Sequence, residues 1–295
     1  MIGPDLAAHL AGGLTTLCHA WAVTRTDGTV FGFTDHDRDL TFDGMTFRAD
    51  SGLSARALQQ GTGLSVDNTE ALGLLSDTAL SEADIVAGRF DGAEVRCWRV
   101  NWADPAQRLL QFRGTIGELQ RNGASFTAEL RGLTEALNRP LGRIYQKPCT
   151  AVLGDTACRV DLSGPDHSLT LSVATVEGAR ILQLAGAGAA ALPDGWFRRG
   201  RLLVLDGAAI GLQGTIKRDS PQGSQRQIEL WEPLRAPLAP GDSLRLQAGC
   251  DKRFATCRDK FANLVNFQGF PDLPGDDWRI IDPALSGSLR GGSRR

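Results

Sequence analysis

The sequence predicts a mainly β, multi-domain protein of barrel or sandwich type with only short helices, and three observations lead there. Glycine is abundant, at 35 of 295 residues, and Asp-Gly and Asn-Gly steps recur along the chain. Such steps supply the positive backbone angles of tight hairpin turns. Between them, apolar residues alternate in short runs, which is the period of a half-buried strand. No parallel strand–helix–strand alternation is present, which argues against a dinucleotide-binding architecture, and no internal repeat is evident.

Taken in order, residues 4–13 read as a short helix. Leu17 to Arg25 alternates, with Leu17, His19, Trp21 and Val23 on one face and the smaller Cys18, Ala20 and Ala22 on the other. Asp27-Gly28 turns into a strand over Thr29 to Thr34, and LTF-DG-MTF reads as a hairpin with a two-residue loop. Ser81 is placed to cap a helix in which Glu82 and Asp84 suit the positive N-terminal end. EVRCWRVNW is the next strand, broken at Asp104-Pro105, and QFRGTIGELQ pairs with ASFTAELRG across Asn122-Gly123. LTEALNRPLG reads as a helix stopped by Pro140. Five further strands follow: LTLSVATVEG, RRGRLLVLDG, AIGLQGTIKR, RQIELWEP and SLRLQAG.

These readings divide the chain into a β-rich domain over 1–140, a discontinuous cysteine-bearing region over 141–162 and 249–285, an inserted barrel-like domain over 163–248, and a Gly/Ser/Arg-rich tail over 286–295. Low-complexity polar composition predicts disorder for that tail.

Bulk properties narrow the function. The formal net charge of −2 argues against general nucleic-acid binding, which calls for a basic excess. No apolar run approaches the ~20 residues of a bilayer-spanning helix. The first residues lack the basic start and apolar centre of a secretion signal. A protein made in the cytoplasm keeps its thiols free, reactive or metal-bound.

Six cysteines are present, and four fall into two pairs: Cys149 and Cys158 as C-x₈-C, Cys250 and Cys257 as C-x₆-C. Thiolate is the soft ligand that iron–sulfur clusters and structural zinc select. Gly154-Asp155 supplies a turn that brings Cys158 back toward Cys149. Phe254, Cys257, Phe261, Leu264 and Val265 are spaced as one face of a single helix, with Cys250 at or before its start, where free N–H groups would face an anionic centre. Zinc sites usually show tighter C-x₂₋₄-C pairs, so the wide spacings suit a bulkier centre. Spacing alone leaves iron–sulfur, zinc, and uncoordinated or disulfide-paired cysteines all open.

The run CDKRFATCRDKFANLVNFQGFP, with IYQKPC and GDTAC upstream, resembles the C-terminal domain of the tail-tip protein L family of long-tailed phages. TLCHAWAVTRTDGTVFGFTDHDRDLTFDG and SEADIVAGRFDGAEVRCWRVNWADP are similar to the baseplate hub proteins of gene transfer agents and related prophages. The resemblance implies a non-enzymatic virion component at the tail tip, assembled in the bacterial cytoplasm. It implies a homo-oligomer, typically a trimer, between a distal tail protein above and a terminal, receptor-reaching tip protein below. It also implies a [4Fe–4S] cluster on Cys149, Cys158, Cys250 and Cys257, with zinc as the lesser alternative. The stretch between the pairs is longer than in the compact phage proteins, so its role does not follow from them.

Other candidates carry plainer readings. Asp35, His36, Asp37 and Asp39 suggest a metal or acid–base cluster, but successive strand residues point to opposite faces, and a polar hairpin end is the expectation. Cys18 and His19 suggest a thiol nucleophile served by His36 or His167, yet adjacent strand residues face apart. Cys97 reads as a small core residue, and Phe267, Phe270 and Trp278 as anchors behind the cysteine site. The enzymatic rivals are an envelope hydrolase and a redox protein. No serine elbow, H-E-x-x-H, G-x-G-x-x-G or Walker-type loop supports either.

Overall fold

The computed structural model describes residues 2–49, 54–55, 68–74, 81–122, 125–132, 142 and 144–273. The chain divides into two compact units, Met1–Pro140 and Leu141–Arg295. The helix expected over 133–142, Trp278 and the tail lie wholly or almost wholly outside the described residues.

In the first unit, α1 (Pro4–Ala11) starts with proline in its first turn and Asp5 beside its positive end. The strands are β1 (Leu17–Thr24), β2 (Val30–Thr34), β3 (Leu40–Phe42), β4 (Met45–Phe47), β5 (Ser54–Ala55), β6 (Asn68–Leu74), β7 (Glu94–Asn101), β8 (Arg108–Asn122) and β9 (Ser125–Gly132). Seven of them form one antiparallel sheet in the order β2-β1-β7-β8-β9-β6-β5. Between β6 and β7, α2 (Glu82–Val86) is capped by the Ser81 side chain, which accepts from the Asp84 N–H.

Both faces of β1 are covered. Trp21 and Val23 pack with Phe33, Phe90, Val95 and Phe112 on one side, while Cys18, Ala20 and Ala22 pack with Phe42, Phe47, Trp98 and Val100 on the other. Large and small residues alternate along the strand because the β3–β4 hairpin comes close on the small side. Its turn, Asp43-Gly44, has positive φ at both positions (50° and 72°), as a two-residue hairpin turn requires. Arg48 continues from the hairpin to bond the β2 backbone, its N–H donating to Gly32 O at 3.0 Å and its C=O accepting from Thr34 N. The exposed edge of β2 is thereby covered. Gly32 is needed there, since a Cβ would lie 2.4 Å from Thr46 O.

The second unit contains a closed barrel of β10 (Ser168–Glu177), β11 (Ile181–Ala185), β12 (Arg201–Val204), β13 (Gln213–Gln222), β14 (Gln225–Leu230) and β15 (Ser243–Gln247). The order is β10-β11-β14-β13-β12-β15, and β10 pairs with β15 to close it. Alternate residues point inward: Leu171 and Val173, Leu182 and Leu184, Leu202 and Val204, Ile228 and Leu230, Leu244 and Leu246, all buried. Each such burial is worth roughly 1.5–3 kcal/mol.

A buried ion pair pins the loop across one side of the barrel. Arg226 and Asp219 are both fully buried and bonded side chain to side chain. The guanidinium also donates to the carbonyls of Ala189, Leu192 and Pro193, and Asp219 accepts from the Phe197 N–H. Its hydrogen-bonding capacity is thus used, which is the condition under which a buried charge is tolerated.

All six barrel strands lie between Cys158 and Cys250 in sequence. The entry and exit are joined where Ala248 N donates to His167 O at 2.7 Å.

Candidate metal centre

Cys149, Cys158, Cys250 and Cys257 line one cavity, together with Ala151, Leu153, Val160, Phe261 and Phe267. Three segments from both sides of the barrel insertion converge here: the loop from Cys149 to Cys158, the chain leaving the barrel at Cys250, and the run that carries Cys257. Cys149 N donates to Lys252 O at 2.8 Å, joining the first pair to the second. Lys252 has positive φ (67°), and this turn places its own N–H 3.4 Å from the Cys250 sulfur.

The loop between Cys149 and Cys158 is organised by Asp155. Its carboxylate accepts from the N–H groups of Val152, Ala157 and Cys158 at 2.9, 3.0 and 2.6 Å. These bonds, led by that from Cys158, hold its carboxyl below the usual range. Gly154, with φ of 82°, makes the turn.

The expected single helix face is corrected by the structure. Only Phe254–Asp259 is helical (α3), and Ala262 has positive φ (46°), which ends the run. A separate 3-10 turn follows over Leu264–Asn266, and Val265 points outward, 97% exposed. Phe254, Cys257 and Phe261 keep the helical register, but Leu264 and Val265 belong to a new direction. The break has a use. It returns the chain so that Asn263 meets both pairs: its amide donates to Cys158 O at 2.6 Å and reaches the Cys158 sulfur at 3.8 Å, and its carbonyl accepts from the Cys257 thiol at 3.3 Å. Nor do helix N-terminal groups face the sulfurs as expected. The backbone donors to sulfur are Lys252 N and Gln268 N, the latter 3.4 Å from Cys149. Gly269 allows this approach, since a Cβ there would lie 2.5 Å from Lys147 O.

Burial raises the Cys257 thiol to about 11, with the charges of Cys149, Cys250 and Cys158 adding to the rise, and burial likewise raises Cys250. Thiols that repel one another's ionised forms stay protonated until a cation replaces the protons. Among the described residues, no group of three or more His, Cys, Asp or Glu side chains is gathered so as to hold a single metal ion. The four cysteines share one cavity lining without being gathered around a single ion. Backbone N–H donors on sulfur and an apolar wall are the surroundings that an anionic thiolate-ligated cluster needs, so the donor set fits such a group.

Lys260 was not among the residues singled out by the sequence. Its ammonium donates to the carbonyls of Trp196 and Gly249 and lies 4.5 Å from the Trp196 ring centroid. Burial lowers it to about 8. No pattern in the sequence marks Lys260, Asn263 or Gln268, since each acts through partners remote along the chain.

The remaining candidates separate in space. Cys18 donates to Val100 O, and burial raises its thiol to about 11. His19 instead pairs with Asp35 at 2.9 Å. His36 Nδ1 accepts from Arg38 N, its ring lies against Trp102, and Asp39 accepts from Ala49 N. The His167 ring stacks on Phe261. Cys97 is fully buried, and burial raises its thiol. Phe267 lines the cysteine cavity and meets Phe254 edge-on at 5.4 Å, while Phe270 meets Tyr145 at 4.7 Å.

A family model described as "Baseplate hub protein, N-terminal attachment domain" matches residues 3–161, more than half of the chain. The chain belongs to the baseplate hub protein family. A second model, "Phage conserved hypothetical protein BR0599", matches residues 195–277. The hub match thus includes Cys149 and Cys158, and the second match includes Cys250 and Cys257. Among solved structures, a chain of the "Virion of native gene transfer agent (GTA) particle" matches at 54% identity and a TM-score of 0.90, covering 99% of both chains. A proposed oxidoreductase from Sinorhizobium meliloti matches 45% of this hub chain and 47% of its own at 11% identity and a TM-score of 0.21, too little to carry an argument. No curated protein sequence matches. Among the described residues no helix is long and apolar enough to cross a membrane.

Proposed function

We propose that this chain is the baseplate hub of a virion of the gene-transfer-agent type, with a [4Fe–4S] cluster held by Cys149, Cys158, Cys250 and Cys257. The observation that carries the assignment is the full-length likeness to a chain of such a particle, at 54% identity and a TM-score of 0.90. In this reading the chain is structural. It joins a distal tail protein to a terminal tip protein, and copies close into a ring, a trimer by resemblance to its family. Ring closure by repeated contacts suits a protein rich in strands, because neighbours cover edges that would otherwise pair at random.

The four cysteines support the cofactor reading by facing one cavity with backbone donors on two of their sulfurs. The cluster's contribution is cohesive, since metal-binding energy adds to folding energy. Cys149 and Cys158 bring the Asp155 loop, Cys257 brings α3, and Cys250 brings the chain leaving the barrel. Lys252 and Asn263 hold these segments in register.

The test is anaerobic purification followed by iron, sulfide and zinc analysis with a visible absorption spectrum. About four irons and four sulfides per chain are expected for this cluster type. Zinc alone would replace the cluster by a mononuclear site, and colourless, metal-free, folded protein would refute the reading. Cys257→Ser is expected to lose the absorbance and to lower particle yield.

A further inference from the structure

Beside the cysteine cavity, and sharing Leu153, Cys250 and Lys252 with it, lies a second and more open cleft. It is lined by the basic residues Arg199, Arg201 and Lys252, by the apolar residues Val152, Leu153 and Leu162, and by Thr215 and Gln247. No carboxylate lines it, in a chain whose acidic residues outnumber its basic ones. Lys252 is occupied, its ammonium donating to Ala151 O. Arg199 and Arg201 are both exposed. Asp251 lies outside the lining; against burial, which raises it, hydrogen bonds from Thr256 and from the Arg253 N–H hold its carboxyl down, with the charges of Arg253 and then Arg199 adding to them.

The backbone under these arginines is unusual. Arg199 has φ of 63°, a left-handed conformation rare for a long side chain and often associated with function when the surroundings enforce it. Here Arg199 N is bonded to Ile216 O at 2.8 Å. The next residue, Gly200, sits so close to β15 that a Cβ would lie 2.0 Å from Gln247 O. The apolar lining is held as well, because Leu162 packs against the Gly154 turn, where a Cβ would meet it at 2.9 Å. Val152 remains 61% exposed.

We propose that this cleft is a docking site for an acidic, extended peptide segment of a neighbouring virion protein, whose carboxylate takes the Arg199 and Arg201 guanidinia while an adjacent apolar side chain lies on Val152, Leu153 and Leu162. Guanidinium presents paired donors that match a carboxylate. A bare inorganic anion would leave the apolar wall uncovered, and a neutral peptide would leave the charges uncompensated. Because Cys250 lines both hollows, the docked segment also shields the cysteine cavity on that side. The inference rests on the chain being a virion component, and on nothing about which metal the cysteines hold.

The experiment places a photo-crosslinking phenylalanine at Val152 in the full-length chain, isolates assembled particles, and identifies the cross-linked peptide by mass spectrometry. A peptide of another virion protein carrying Asp or Glu within a few residues of the cross-link is expected. In the Arg199→Gln/Arg201→Gln double variant the yield of that cross-link should fall about tenfold or more, the scale of ~1.4 kcal/mol. The variant's fold is checked by its unfolding temperature and its circular dichroism spectrum, neither of which should change. A cross-link to a neutral or basic peptide, to another copy of this chain, or to nothing in particles containing the chain would overturn the proposal. So would an unchanged yield in the folded double variant. Particles lacking the chain altogether would instead overturn the virion assignment, and the cleft proposal with it.

Discussion

At the scale of single residues, the cysteine site depends on side chains other than the cysteines. Asp155 shows why. One carboxylate receives three backbone N–H groups and so sets the curvature of the loop carrying Cys149 and Cys158. Its folded-state pKa is depressed, and the sign of the consequence follows. A carboxylate held down by the fold contributes stability above its unfolded value, and that contribution disappears as pH falls through the folded value. Acidification below about pH 4, the ordinary carboxylate range, should therefore loosen the loop. Hydrogen exchange at the amides of Ala157 and Cys158 measures this directly. Asp155→Asn should show faster exchange at neutral pH and lose the acid-dependent step. The cysteines themselves were legible in the sequence because thiol is rare and chemically specific. Asp155 was legible only as part of a turn.

At the scale of elements, hairpins with Gly-containing turns read well, and unsupported periodicity read poorly. The β3–β4 hairpin was visible because Asp43-Gly44 sits between two alternating triplets. The single helix drawn through Val265 failed because helical spacing persists by chance across a break, and here Ala262 turns the chain. Strand β11 was overlooked, although Ile181–Ala185 alternates and follows Gly178, because five residues give a weak signal. Without it the barrel would not close. Hairpin packing yields a further expectation: Gly32→Ala would force a Cβ to within 2.4 Å of Thr46 O and push the β3–β4 hairpin off β2. A destabilisation of ~1–3 kcal/mol is expected, the usual cost of overpacking, read as a lower denaturant midpoint. Gly28→Ala, at a turn open to solvent, should show a smaller loss arising from its positive φ.

At the scale of the whole molecule, two units are present, and the barrel strands all fall between the paired cysteines. A closed barrel has no free edge, so it adds a stable body without adding a sticky surface. The seven-stranded sheet of the first unit differs, since β2 needs the Arg48 segment laid along it. If copies form a ring, the purified chain should show a mass of three protomers by light scattering at high concentration. A monomer at every concentration, in protein that still enters particles, would mean that the ring forms only on the tail.

The sequence by itself determined the β class, the tight turns, the pairing of four cysteines as the candidate site and the likeness to hub proteins. Each of these is carried by local chemistry: glycine's free φ, alternating burial, and the softness of thiolate. Only the tertiary structure decided that four distant cysteines face one hollow, that Asn263 and Lys252 hold them there, and that Arg199 and Arg201 line an open cleft beside them. Those facts depend on where the chain returns after closing a barrel, and long-range return is set by packing of the whole core rather than by any local pattern.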